Sequence, residues 1–154
     1  MFVTLTLAES NSIIEAAIST ASRLKISVCV AVCNRQGHLV AFKRMDGAYD
    51  DDADRSAVGK AVASAGTGQP SGEITGILDH PTAELVVAQG MPARRVRGGL
   101  PIRRDGAVEG GCGVAGAPSN ESDEECARAG IAAFHDSPST SGPSITRRQG
   151  KRSR

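Results

Sequence analysis

Arg44 and Asp46 stand two residues apart around Met45. On an extended strand that spacing puts both side chains on one face. A guanidinium there can clamp a carboxylate bidentately, and the carboxyl can act as an acid or base beside it. The plainer reading is a salt bridge next to an Asp46-Gly47 turn. Lys60 is the second candidate. It lies among Ala57, Val58, Ala61 and Val62. A desolvated lysine has a lowered pKa and can hold an anion or move a proton. A lysine snorkelling from a helix edge fits the same pattern. The third group is glycine-rich: Gly98-Gly99 and Gly110-Gly111-Cys112-Gly113. Bare backbone N–H groups there can line a ligand pocket, with Gly98, Gly99, Gly111 and Cys112 as candidate contacts. Tight strand packing or a subunit interface would need the same residues. Neither stretch is a GxGxxG loop entering a helix, which argues against a dinucleotide site.

The other titratable residues carry weaker signals. His38, His80 and His135 are the only imidazoles. His38 follows a turn glycine, His80 precedes a proline, and His135 ends a helix, where it is equally a dipole partner. The cysteines Cys29, Cys33, Cys112 and Cys126 form no Cys-x-x-Cys pair and have no histidine at zinc-like spacing. Cys29 and Cys33 would share a strand face about 13 Å apart, too far for a disulfide. All four read as small buried apolar residues. Cys112 would be reactive only if accessible and with a lowered thiol pKa. Asp50, Asp51, Asp52 and Asp54 lack the spacing of a calcium loop and read as an acidic helix start.

These residues need elements to position them. Thr6-Leu7-Ala8-Glu9 is a capping box, followed by an apolar stripe at helical spacing, so a helix is expected over 7–24. Ile26 to Cys33 is a β-branched run that suits a buried strand. After a turn at 34–37, the segment from His38 to Met45 alternates and closes a hairpin. A helix follows from the acidic cluster to about Ala65, broken by Gly66 to Pro70. A weaker helix is expected over 82–89. The Asp105-Gly106 pair signals a second hairpin, from Gly98 to Ala115. Its glycine-rich return strand implies close approach of a backbone or ligand. The last helix, expected to run to about Phe134, opens at Asn120 or Ser122 with acids at Glu121, Asp123, Glu124 and Glu125. Hairpins without βαβ alternation predict an α+β fold, a central antiparallel sheet covered by helices in a profilin-like layered architecture.

The 154 residues suffice for one domain, expected over 1–136, with a basic, disordered tail over 137–154. That tail holds Arg147, Arg148, Lys151, Arg152 and Arg154 and no acid. The remainder has 13 basic against 17 acidic residues, a net of −4, which argues against a specific nucleic-acid partner. Aromatics are only 3%, which argues against a base-stacking platform. No apolar run reaches the length of a membrane span. The N-terminus carries no signal-peptide pattern, and the expected compartment is the cytoplasm.

Four stretches in order resemble the GlcG/HbpS-like family, the haem-binding or "haem-degrading" domain also found at the C-terminus of PduO-type proteins. They are Leu5 to Glu9; Val30-Ala31-Val32 through Gly37-His38-Leu39-Val40-Ala41-Phe42; Arg44 to Ala48; and Gly98 to Ile102 through Asp105-Gly106 to Val114. Departures from the family pattern fall at Asn34, Gln69, Cys112 and Ala115 to Ala117. The resemblance implies a small domain assembling as a homodimer or higher homo-oligomer. It also implies a small-molecule-binding protein whose ligand is haem, another tetrapyrrole or an anionic metabolite. If haem is bound, any of the three histidines can be its axial ligand, and His38 is the first candidate. The alternative is a pathway enzyme doing proton-transfer chemistry, as an isomerase, lyase or cyclase, with Lys60, Asp46 and Arg44.

Overall fold

Thr6 caps the first helix in both directions. Its hydroxyl accepts the Glu9 N–H, and the Glu9 carboxylate accepts the Thr6 N–H. A computed structural model of the chain describes residues 4–49, 51–74 and 96–136. The helix expected over 82–89, His80, Asp50 and the basic tail lie outside the described residues. Among these, the elements are α1 (Leu7–Arg23), β1 (Cys29–Asn34), β2 (Leu39–Arg44), α2 (Ala53–Thr67), a short 3-10 turn (Ser71–Glu73), β3 (Gly99–Arg104), β4 (Ala107–Ala115) and α3 (Asn120–Asp136). The fold is α+β, as the hairpin pattern predicts.

Strand β1 starts later than its apolar run. Lys25 takes a left-handed φ of 62°, and the Ile26 N–H returns to Ala21 O. The Val28 N–H donates to the Met45 sulfur rather than to a backbone carbonyl. Regular pairing therefore begins at Cys29. Both expected hairpins form, and β1 pairs with β4 between them, giving an antiparallel sheet in the order β2-β1-β4-β3.

Alternation sorts the sheet into two faces. Val30, Val32, Ile102, Cys112 and Val114 point to one side and pack under α1 and α3 with Ile13, Ile14, Cys126 and Phe134. Cys29, Ala31, Cys33 and Ala115 point to the other and pack under α2 with Ala57, Ala61, Val62 and Ala65. Arg104 ties the first layer together. It donates to both carboxylate oxygens of Glu9 and lies over the Phe134 ring, 5.2 Å from its centroid. The capping glutamate thus also anchors α1 to β3.

The second layer depends on what β4 lacks. A Cβ on Gly111 would overlap the carbonyl of Ala61, and one on Gly113 that of Ala57. The close approach signalled by these glycines is that of the α2 backbone. Overpacking that cannot relax costs about 3 kcal/mol. Gly111→Ala and Gly113→Ala should each lose about that much in urea denaturation. Gly106→Ala meets open space in its turn and should lose only about 1 kcal/mol, the strain of its positive φ.

Candidate functional site

The strongest polar feature lies where the two helical layers meet. Lys60 leaves α2 and reaches past the end of β4 toward α3. Its ammonium donates to Val114 O at 2.9 Å and to Asp123 Oδ2 at 3.1 Å. Both side chains are only 3% exposed. The second Asp123 oxygen accepts the Ala117 N–H at 3.0 Å. Burial pushes the Asp123 carboxyl above its usual range, and the Lys60 ammonium and Ala117 N–H pull the other way. The expected desolvation of Lys60 is present, together with a partner that the sequence reading assigned only to a helix start.

Gly98 and Gly99 roof this pair. Gly98 has φ 130°, and a Cβ there would sit 2.7 Å from the Lys60 ammonium. A Cβ on Gly99 would crowd Lys60 O. The Gly99 N–H donates to the buried hydroxyl of Ser71, which itself donates to Val96 O. Arg97, next in line, donates through two nitrogens to Glu124, which also takes Arg128. Segment 96–99 is thus held from both sides. The sequence pattern does not single out Asp123, Glu124 or Ser71 for chemistry. For Asp123 a signal existed: it stands in helical register with the buried Cys126, Ala127 and Gly130.

The other candidates are not gathered around Lys60. Arg44 is on β2, where it donates to Ala48 O and to the Cys29 thiol. Lys60 meets β4, and two strand spacings separate β4 from β2, about 10 Å. Asp46 is exposed in the turn after β2, which ends at Arg44, and Gly47 with φ 83° completes that turn. Cys112 is fully buried rather than accessible, and burial pushes its thiol up to about 12. Gly111 is filled by α2, as above. His38 and His135 are both exposed. The His135 ring meets Phe134 edge-on at 5.5 Å.

The His38 backbone is fixed on three sides. Its N–H donates to the Asn34 carboxamide at 3.0 Å, which also accepts from Gln36. Its carbonyl accepts the Asn34 N–H, and the Gly37 N–H closes the turn on Asn34 O. A side-chain amide accepting two N–H groups stiffens a turn. The imidazole therefore projects from a rigid base.

Breaking a buried ion pair by removing one partner typically costs about 3–5 kcal/mol, whereas replacing both by apolar groups is often neutral. Asp123→Asn and Lys60→Met should each destabilise the fold by that order. The double substitution Lys60→Met/Asp123→Leu should recover most of the loss in the same denaturation assay.

Comparison with known proteins places this geometry. No curated protein matches the sequence significantly. Among solved structures, the ORFY protein of Klebsiella pneumoniae is 25% identical, with a TM-score of 0.76 over 90% of this chain and 96% of that one. A double mutant of Streptomyces reticuli HbpS is 34% identical, with a TM-score of 0.71 over 86% of this chain and 88% of that one. PduOC, solved as a complex with haem, is 25% identical, with a TM-score of 0.71 over 85% of this chain and 95% of that one. A family model described as "Haem degrading protein HbpS-like" matches residues 5–132, nearly the whole described fold, and the chain belongs to the HbpS-like family.

Proposed function

We propose that this chain is a small-molecule-binding protein whose ligand is haem or a related tetrapyrrole, held on its surface with His38 as the axial donor. The observation that carries the reading is its likeness to the PduOC:haem complex across 95% of that chain. The family match supports it.

The donor set narrows the iron ligand to imidazole or phenol. Haem iron is held by histidine, thiolate, methionine or tyrosinate. All four cysteines are buried. Burial raises the Cys29 thiol, pushes Cys33 and Cys112 up to about 12, and takes Cys126 up to about 11. None supplies a thiolate at neutral pH. Met45 already accepts a backbone N–H through its sulfur. The exposed imidazoles remain, with the phenol of Tyr49, 81% exposed, as the alternative donor. His38 has the fixed backbone, and it is followed by Leu39, 48% exposed, which offers apolar surface to a planar ligand. Bound there, haem would supply an iron centre at the protein surface, and His38 would orient it.

Self-association and a cytoplasmic location belong to the same reading. Reduced, buried thiols suit a reducing compartment. Among the described residues no helix is long and apolar enough to cross a membrane. The Lys60–Asp123 pair reads as a structural weld within this account.

Titration of haemin into the protein should give a saturable Soret shift near one equivalent. His38→Ala should abolish the shift, whereas His80→Ala and His135→Ala should retain it. A shift unchanged in His38→Ala would contradict the assignment.

A further inference from the structure

We infer that Arg35 is the anion-binding residue of the same surface site, pairing with a carboxylate of the planar ligand; this rests on the His38 reading above. Arg35 and His38 are three residues apart in one closed turn. Three Cα steps span at most about 11 Å. The Gly37 N–H to Asn34 O and Asn34 N–H to His38 O bonds, each 2.9 Å, close residues 34–38 into one tight loop that carries both side chains.

Arg35 is exposed, and it makes no ion pair or hydrogen bond among the described residues. Apart from Arg23, at the C-terminal end of α1, the other described arginines are engaged. Arg55 is near Asp52, Arg97 and Arg128 share Glu124, Arg103 donates to Gly106 O and Gly68 O, and Arg104 holds Glu9. The Asn34 carboxamide oxygen already accepts the Gln36 and His38 N–H groups.

A guanidinium fork matches a carboxylate geometrically, and a lysine would not do so. Haem carries two propionate carboxylates at one edge. An imidazole on the iron and a free guanidinium on the same rigid turn would address the face and the charged edge of one molecule. Arg35 would thereby select for a carboxylate-bearing ligand.

The test compares haemin with its dimethyl ester, using the full chain and Arg35→Gln. Arg35→Gln should weaken haemin binding about twofold to fivefold, the size of an exposed ion pair with good geometry. It should leave the Soret position unchanged and the affinity for the ester equal to that of the wild type. Equal haemin affinity in both proteins, with a saturable Soret shift still lost in His38→Ala, would overturn the role of Arg35 and leave the His38 reading standing. Failure of wild-type protein to bind haemin saturably would overturn both. A loss of equal size for haemin and ester would also overturn it, because the carboxylate would then not be the partner.

Discussion

Helix α2 lies against β4 backbone to backbone, and the rest of the structure follows from that contact. Gly111 and Gly113 leave the space, and the carbonyls of Ala57 and Ala61 occupy it. Interiors are packed to crystal-like density, so nothing of ligand size enters between these layers. The same closeness fixes where Lys60 emerges from α2. Its ammonium arrives beside Val114 O, under Gly98, with Asp123 opposite. The buried ion pair joins the α2 layer to the α3 layer, and the glycine contact sets its position.

A closed interior moves the search for a ligand outward. The glycine stretches fill with helix, the thiols are buried and protonated, and the lysine is engaged. Exposed and rigidly based chemistry remains at the β1–β2 turn, where Asn34 organises the backbone through four hydrogen bonds. That turn has the features of a surface binding element: a fixed scaffold and side chains free to meet a ligand.

Much of the fold was legible in the sequence because its signals are local. The Thr6–Glu9 capping box, the Asp105-Gly106 turn and the apolar stripe of α1 each act over a few residues and appear as read. The start of β1 was not, because Lys25 adopts a positive φ and Met45 takes the Val28 N–H, both tertiary outcomes. The candidate site was legible only in part. Lys60 stood out as a charge on an apolar stretch, yet its partner lies 63 positions away. Asp123 was read by its place in the first turn of a helix, where acids are common, rather than by its register with Cys126 and Gly130. Two buried charges of opposite sign, each on an inward stripe, would have suggested each other. The glycines of β4 announced a close approach without saying what approaches, since helix backbone and ligand leave the same trace in sequence.

The central claim is that the ligand meets the outside of a closed core at the β1–β2 turn. The most direct test is to assign the amide spectrum and add paramagnetic ferric haemin. Line broadening should centre on residues 35–39 and spare the amides of Gly98, Gly99 and Gly111 to Val114. Broadening centred on those glycines and Lys60, with the turn unaffected, would place the ligand between the layers and contradict the account.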